Sequence, residues 1–254
     1  MTTTFAPLQF LPAHIHQFDL LPSTNDYLKE ALVKPQEMPE GTVIWALQQT
    51  AGRGQHDHIW NTEAGKNITL SLLIKPVGIH ATEIFLLSKV IALAVRSTVA
   101  HFLSANISIK WPNDIYAEEQ KIAGILIENT IQGDQIKYSI VGIGININQT
   151  HFLSDNNPTS FRKITGKEYH LQEVVDVLLS KISFHYLQLQ LKNFKKIDRD
   201  YFKNLYQVHL PQSFIIHEEP KQCLIQEVLS DGSIILNIDE EKKTYLYGDA
   251  RWKI

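Results

Sequence analysis

The stretch "GIGININ", Gly142 to Asn148, alternates small or amide residues with isoleucine. In an extended chain Gly142, Gly144, Asn146 and Asn148 share one face of a strand, while the isoleucines share the other face and pack into a core. Glycine weakens a strand, so a face without side chains indicates that a flat ligand or another backbone lies close against it. The stretch lacks the third glycine and the following helix of a dinucleotide-binding motif.

Strand and helix patterns lie on both sides of this stretch. β-Branched and apolar runs predict single strands at 42–48, 67–74 and 135–148, and a strand, a turn and a second strand within 107–129. Apolar residues at helical spacing predict helices at 23–34, 81–103, near 170–193 and near 197–207. The composition changes near "VHLPQS", residues 208–213, and short strands with an Asp231-Gly232 hairpin turn follow. These strands predict a small β-barrel of about 45 residues that leans on the main domain for stability.

Composition and charge exclude several classes of protein. The 254 residues are 44% hydrophobic and 20% charged, which suits a globular protein with a sizeable core. The net charge of -3 provides no global basic field for nucleic acid. Cys223 is the only cysteine, so no internal disulfide forms and a reducing cytoplasm is the expected compartment. The first residues have no secretory pattern, and no uninterrupted apolar stretch reaches the roughly 18 residues of a membrane span.

The stretch "QQTAGRGQHDHIW", residues 48–60, follows a predicted buried strand. Glycines at 52 and 54 let the backbone approach a ligand closely, and Arg53 offers a fork of donors that suits a carboxylate or phosphate. Taken alone, these residues favour a mobile surface turn. The adjacent His56, Asp57 and His58 match the spacing of metal ligands poorly, so no metal site is predicted there.

Two lysine-containing stretches follow, "KWPND" at 110–114 and "KIAGILIE" at 121–128. Lys110, Asn113 and Asp114 provide a charge, an amide and a carboxylate beside a backbone stiffened by proline. Lys121 begins an apolar strand in which Gly124 leaves room for a neighbour. A proline turn and a solubilising lysine remain alternatives for each stretch taken singly.

Read in order, these stretches resemble the biotin–protein ligases: "STN" at a helix start, "QQTAGRG" with its later tryptophan, "KWPNDI", "KIAGILIE" and "GIGININ". The likeness spans Ser23 to Asn148. It implies an α+β fold with a class II aminoacyl-tRNA-synthetase-like catalytic domain, built on a mixed sheet with helices. It also implies a small C-terminal SH3-like β-barrel, with the catalytic domain at 1–209 and the barrel at 210–254.

The reaction that the resemblance implies has two steps. Biotin is first activated by ATP as biotinoyl-5′-AMP, and the biotinoyl group is then transferred to a lysine of a biotin carboxyl carrier protein of acetyl-CoA carboxylase or a similar enzyme. Mg²⁺ is expected on ATP without predicted protein ligands, and no tightly bound prosthetic group is expected. Neither DNA nor a membrane is expected as a partner. The protein is expected to be a monomer or a homodimer.

The resemblance also implies roles for individual residues. The catalytic residues that it implies are Arg53, Lys110, Asp114 and Lys121. The implied biotin-binding residues are Ser23, Thr24, Asn25, Gln49, Gly52, Arg53, Lys121, Gly124 and Gly142. The implied ATP-binding residues are Arg53, Gly54, Gln55, Trp60, Lys110, Asn113, Lys121 and Asn146, with Trp60 stacked on or covering adenine.

The sequence departs from the family pattern in two places. Many members carry a second arginine where this chain has Gln55, and further basic residues where it has Asp57 and His58. The loop therefore offers less positive charge to the phosphates of ATP. Only 22 residues precede Ser23, too few for the winged helix-turn-helix of members that also repress transcription, so a ligase-only form is expected.

Two other functions fit parts of the sequence. A lipoate or octanoate ligase of the same fold needs a deeper apolar tunnel, which the polar Ser23, Thr24 and Gln49 disfavour. A biotin-responsive DNA-binding regulator is disfavoured by the net charge and by the short segment before Ser23.

Overall fold

A computed structural model describes residues 14–34, 38–55, 59–152 and 157–252. The helices are α1 (Thr24–Val33), α2 (Phe85–Phe102), α3 (Phe161–Thr165), α4 (Leu171–Gln190) and α5 (Phe194–Lys203), with a 3₁₀ turn at Ala81–Glu83. The first seven strands are β1 (His14–Leu21), β2 (Thr42–Gln49), β3 (Ile68–Ile74), β4 (Ile107–Lys110), β5 (Asp114–Ala117), β6 (Gln120–Gln132) and β7 (Gln135–Ile145). The last five are β8 (Gln212–Ile216), β9 (Glu219–Val228), β10 (Ile234–Ile238), β11 (Glu241–Tyr245) and β12 (Ala250–Trp252).

The first seven strands form one mixed sheet in the order β1-β2-β3-β7-β6-β5-β4. β1 and β2 pair in parallel, and the other neighbours are antiparallel. Alternate residues of β2 enter two cores: Val43 and Trp45 pack in the main core with α2 and α4, while Ile44 and Ala46 pack with α1 on the opposite face. The predicted mixed sheet with helices on it is confirmed.

Helix α2 is the central helix of the main core. The segment Ala81–Phe102 has the length and hydropathy of a membrane-crossing helix, but 61% of its apolar window is buried inside the protein. Its buried residues pack against β4, β5, β6 and the helices α4 and α5. This burial is that of a core helix, and length and composition alone do not make it a membrane span.

The last five strands form a separate antiparallel sheet in the order β11-β10-β9-β8-β12. Lys89 of α2 fixes it to the main domain: this side chain is 1% exposed, and its Nζ donates to Asp198 Oδ1 at 2.7 Å and to Val228 O at 2.6 Å. Trp111 Nε1 also donates to Gly232 O in the β9–β10 turn at 3.1 Å. The second sheet is therefore held against the edge of the main sheet that carries "KWPND".

Three predicted elements differ from the structure. The 107–129 stretch forms three strands, because a tight turn at 118–119 separates β5 from β6. The predicted 81–103 helix is divided into a 3₁₀ turn and α2. The 135–148 strand ends at Ile145, where Asn146 N already bonds Ile122 O outside the β6–β7 ladder. The SH3-like character of the second sheet stays a prediction.

Candidate functional site

One cavity of about 910 Å³ is lined by the start of α1, the loop after β2, strands β5 to β7 and the second sheet. Every predicted site residue except Gly52 lines it: Ser23, Thr24, Asn25, Gln49, Arg53, Gly54, Gln55, Trp60, Lys110, Asn113, Asp114, Lys121, Gly124, Gly142 and Asn146. Gly52 lies behind the wall, where a Cβ would be 2.6 Å from Trp60 O. Trp60 N donates to Gly52 O at 2.9 Å, so this glycine lets the loop double back.

The start of α1 forms a polar corner of the cavity. Gln49 Oε1 accepts from Thr24 N at 2.7 Å and from Thr24 Oγ1 at 3.1 Å. Ser23 is the N-cap of α1, and its Oγ accepts from Asp26 N at 3.3 Å. In this capping bond the Ser23 hydroxyl is the acceptor, so its own proton is free to be donated to another group. The corner therefore presents hydroxyl and amide groups to the cavity.

Asn25 is the buried support of that corner. Its Oδ1 lies 2.5 Å from Ser71 Oγ, and its Nδ2 donates to Glu128 Oε2 at 2.7 Å. A Cβ at Gly142 would lie 2.6 Å from Asn25 Oδ1, so only glycine fits at this position of β7. Gly142 thus leaves the space that the Asn25 side chain occupies. Ser71, which hydrogen-bonds to Asn25, was not predicted as a site residue.

Two carboxylates hold Arg53 at the edge of the cavity. The Arg53 guanidinium makes a short ion pair with Asp26 and lies 3.8 Å from Glu128 Oε1. Burial alone would raise the pKa of Glu128, but hydrogen bonds from Lys29 and Asn25 and the charges of Lys29 and Arg53 hold that pKa below its usual value. Neither carboxylate was predicted as a site residue, although Asp26 directly follows the quoted "STN" and Glu128 ends "KIAGILIE".

Two glycines of the sheet face the indole ring of Trp60. Gly124 of β6 pairs with Gly144 of β7 across the ladder. A Cβ at Gly144 would lie 2.6 Å from Trp60 Nε1, and a Cβ at Gly124 would lie 3.2 Å from Trp60 Cζ3. The indole Nε1 is buried and has no hydrogen-bond partner among the described residues. The bare strand face is therefore covered by a side chain of the loop after β2.

Lys121 and Asp114 form an ion pair on the floor of the cavity, with Lys121 Nζ 2.7 Å from Asp114 Oδ1. The same ammonium lies 5.8 Å from the centroid of the Trp60 ring, within the range of a cation–π contact. Asp114 and Gly124 are opposite each other on β5 and β6. Lys121 is thus held between a carboxylate and an aromatic face.

Lys110 is the most deeply buried cation of the cavity, with 7% of its surface exposed. Its Nζ lies 3.4 Å from Tyr116 Oη, 5.1 Å from the Tyr116 ring and 5.8 Å from the Trp252 ring. Burial lowers the pKa of Lys110 to about 8, the Asp114 charge opposes this, and the Lys121 charge lowers the pKa further. Near neutral pH this amine is mostly protonated and lies close to its titration range.

The asparagines are used mainly by the protein itself. Asn113 Nδ2 donates to Ile125 O at 2.7 Å, and Asn146 Nδ2 donates to Thr159 O at 3.0 Å. Asn148, predicted on the same strand face, instead exchanges hydrogen bonds with the backbone of Tyr169. Asn146 and Asn148 both lie beyond the end of β7 at Ile145, so the predicted strand face ends at Gly144. Asn146 still lines the cavity, whereas Asn148 is not among its lining residues.

The second sheet supplies one wall of the cavity through Tyr247, Gly248, Ala250, Arg251 and Trp252. Tyr247 Oη donates to Gln55 Oε1 at 2.5 Å. No motif in the C-terminal sequence predicted this wall, because the second sheet reaches the cavity only through tertiary packing.

A metal site is not formed by the described part of the chain. Residues 14–34, 38–55, 59–152 and 157–252 contain no group of three or more His, Cys, Asp or Glu side chains that fits a metal ion. Of the two carboxylates that line the cavity, Glu63 and Asp114, Asp114 is paired with Lys121. The predicted absence of a site at His56, Asp57 and His58 concerns residues outside the described ones.

Comparison with known protein families gives a match over about half of the chain. A profile of the Biotin/lipoate A/B protein ligase family matches residues 17–146. The chain is 30% identical over 185 residues to the biotin–[acetyl-CoA-carboxylase] ligase of Paracoccus denitrificans, covering 70% of this chain and 76% of the relative. It is also 35% identical over 136 residues to the bifunctional ligase/repressor BirA of Bacillus subtilis (strain 168). This chain spans only 41% of that relative's length.

Solved structures of biotin protein ligases match the fold of this chain over more of its length than the family profile does. The structure described as biotin protein ligase from Aquifex aeolicus in complex with biotin and ATP is similar at a TM-score of 0.78 and 25% identity. The match covers 95% of this chain and 99% of that chain. A biotin protein ligase from Leishmania major in complex with biotin, at 20% identity and a TM-score of 0.63, shares the fold.

Proposed function

The chain belongs to the biotin/lipoate A/B protein ligase family, and from this premise we propose that it is an ATP-dependent biotin–protein ligase. In the first step the carboxylate of biotin attacks the α-phosphorus of ATP, and the bond to pyrophosphate breaks. In the second step a lysine amine of a carrier protein attacks the acyl carbon of biotinoyl-5′-AMP. The acyl–phosphate bond breaks, AMP leaves, and the amine loses a proton.

One observation carries the proposal: a neutral polar corner and four cationic side chains, those of Arg53, Lys110, Lys121 and Arg251, line the same cavity. The ureido ring of biotin has two N–H donors and one carbonyl acceptor. Ser23, Thr24 and Gln49 present matching hydroxyl and amide groups at one end of the cavity. We therefore place the ureido ring at the α1 corner, with Asn25 and Gly142 supporting it.

The cationic side chains suit the chemistry of the first step. That step brings a carboxylate anion to a polyanionic phosphate, so positioning and positive charge must lower the barrier. Arg53, Lys110 and Lys121 provide the charge within one cavity. We assign Arg53 and Lys121 to the carboxylate and the α-phosphate, and Lys110 to the phosphates. Asp114 then acts mainly by holding Lys121 in place.

The remaining residues are assigned to the nucleotide and to the shape of the cavity. We place adenine against Trp60, on the loop wall that also carries Gly54 and Gln55, with Asn113 and Asn146 shaping the nucleotide side from the sheet. Gly124 leaves room for the indole on the sheet. Since no resident metal site is formed by the described residues, Mg²⁺ is proposed as an ion held by the triphosphate oxygens.

The carrier, the compartment and the domain boundary complete the proposal. The names of several relatives refer to acetyl-CoA carboxylase, which supports a biotin carboxyl carrier protein as the acceptor. The single cysteine supports a reducing cytoplasm. We place the boundary between the catalytic domain and the second sheet at 209/210, just before β8, and propose that the second sheet is the family's SH3-like domain.

Transfer to a carrier domain tests the proposal. The protein is incubated with ATP, Mg²⁺ and a purified biotin carboxyl carrier domain, with either biotin or lipoate. Mass spectrometry is expected to find the biotinoyl adduct on the carrier lysine, and calorimetry is expected to find binding of biotin but not lipoate. Labelling by lipoate and not by biotin would favour the lipoate-ligase alternative, which the polar corner opposes.

A further inference from the structure

Gln55 and Tyr247 connect the loop after β2 to the second sheet. Tyr247 Oη donates to Gln55 Oε1 at 2.5 Å. The Tyr247 ring packs edge-on against Trp111, with centroids 5.4 Å apart and planes at 78°. Trp111 is itself 3% exposed and bonded to Gly232 O. The Tyr247 ring therefore packs against the buried Trp111, and its hydroxyl hydrogen-bonds to Gln55 in the loop after β2.

The pair lies where two cavities meet. A second cavity of about 210 Å³ lies between α2, β6 and the β9–β10 turn. It shares five lining residues with the main cavity: Gln55, Pro112, Asn113, Ile125 and Tyr247. The Gln55–Tyr247 hydrogen bond thus belongs to the boundary between the proposed reaction site and a second opening.

The direction of this hydrogen bond explains why glutamine suits position 55. Burial, together with the charge of Asp114, raises the pKa of Tyr247 to about 12, so its hydroxyl keeps its proton at neutral pH. A hydroxyl that donates needs an acceptor, and the Gln55 amide oxygen is one. An arginine at this position carries donors only, so it could donate to the Tyr247 oxygen but could not accept the phenol proton. Gln55 therefore adds no charge to the loop and provides the acceptor that this proton needs.

We propose that Tyr247 is a positioning residue that, through Gln55, holds the Arg53 side of the loop against the cavity and protects the acyl-adenylate from water. The inference rests on the proposed function. Without this hydrogen bond, water reaches the mixed anhydride through the second cavity and attacks the acyl carbon. The acyl–phosphate bond then breaks, and free biotin and AMP form without transfer. Arg53 keeps its ion pair with Asp26 of α1, and Lys110 and Lys121 lie on β4 and β6 outside the loop. Retention of the intermediate is therefore more sensitive to this hydrogen bond than its formation.

The variant Tyr247→Phe removes the hydroxyl and keeps the ring against Trp111. A hydrogen bond of this kind contributes about 0.5–1.5 kcal/mol, which corresponds to a change of roughly 2- to 10-fold. The lifetime of bound biotinoyl-AMP is expected to fall by that factor, and by more than the rate of pyrophosphate formation in the first turnover. Tyr245→Phe is the matched control, because Tyr245 lies outside both cavities and should leave both quantities as in the wild type. Equal loss of lifetime and formation rate in Tyr247→Phe would overturn the positioning role.

A double-mutant cycle separates this hydrogen bond from a general effect on packing. Gln55→Met keeps the length of the side chain and removes the acceptor oxygen. In the Gln55→Met protein, Tyr247→Phe is expected to cause no further loss of lifetime. The same loss in both backgrounds would show that the Tyr247 hydroxyl acts through another group.

Hydrogen exchange without any ligand tests the contact independently of the reaction. The backbone amides of residues 52–55 are expected to exchange faster in Tyr247→Phe than in the wild type or in Tyr245→Phe. Unchanged exchange would overturn the inference even if the enzyme is active. If the wild type forms no adenylate at all, the proposed function fails, and this exchange measurement still decides whether the contact exists.

Discussion

A Cβ on Gly144 would lie 2.6 Å from Nε1 of Trp60, because the indole ring packs directly against this position of β7. The Trp60 ring on the loop thus fills the space that a side chain at position 144 would need. Gly124, opposite Gly144 on β6, extends the same surface. The two strands and the loop therefore form one packed unit at the cavity.

Gly144→Ala is expected to destabilise the protein by about 1–3 kcal/mol, since the new methyl group overlaps the indole. In a Trp60→Ala background the same change should be neutral or slightly stabilising, because alanine is better than glycine inside a strand. Urea denaturation of the four proteins measures the difference. An equal cost in both backgrounds would contradict the contact.

Arg53→Ala is expected to lower kcat/KM for biotin activation by about 10- to 150-fold, the range for one hydrogen bond to a charged group. Pyrophosphate release at limiting biotin measures the effect. Arg162→Ala is the control, because Arg162 also lies near a carboxylate, Glu168 at 3.8 Å, but does not line the cavity. A similar loss in both variants would remove Arg53 from the site.

The buried Lys110 predicts a pH dependence. Its pKa is lowered to about 8, so the ammonium that we assign to the phosphates of ATP loses its charge as the pH rises through 8. kcat/KM for ATP is therefore expected to fall above that pH. Lys110→Arg keeps the charge and should abolish this fall, whereas a fall that persists in the variant would assign the titration to another group.

The same residue has the opposite effect on stability. The pKa of Lys110 is near 10.5, the ordinary value for lysine, in the unfolded chain and near 8 in the folded protein. Between these values the unfolded chain binds more protons, so the contribution of Lys110 to stability rises with pH in that window. Urea denaturation at pH 8 and pH 10 measures the change in unfolding free energy over this window. The contribution that rises with pH should be present in the wild type and absent from Lys110→Met.

Lys89→Met tests how the second sheet is held. The substitution leaves Val228 O and the partly exposed Asp198 without their buried donor, at an expected cost of about 1–3 kcal/mol in unfolding free energy. Lys195→Met, at an exposed position of α5, is the matched control and should be near neutral. Equal stability of the two variants would show that Lys89 does not fix the sheet.

Local patterns predicted most of the elements, and the family resemblance indicated many of the residues that line the cavity. The alternation at 142–148 predicted a bare strand face, and helical spacing predicted α1 and α2. The pattern did not reveal what covers that face, because Trp60 reaches Gly144 only once the loop after β2 folds back on β6 and β7.

Contacts between distant segments were the part that local patterns could not predict. The pairing of Arg53 with Asp26 depends on where α1 packs on the sheet. Tyr247 reaches Gln55 only because Lys89 and Trp111 fix the second sheet beside the cavity. Contacts between residues so far apart in the sequence leave no periodic pattern or regular spacing from which they could be predicted.

Retention of the acyl-adenylate distinguishes a biotin-activating enzyme from a protein that only binds biotin and ATP. The protein is incubated with ATP, Mg²⁺ and biotin without any carrier, passed rapidly through a desalting column and analysed by native mass spectrometry. We expect a bound mass of biotinoyl-5′-AMP in the wild type and its loss in Arg53→Ala. Folded wild-type protein that binds biotin and ATP but never carries the adenylate would show that the chain is not a biotin-activating ligase.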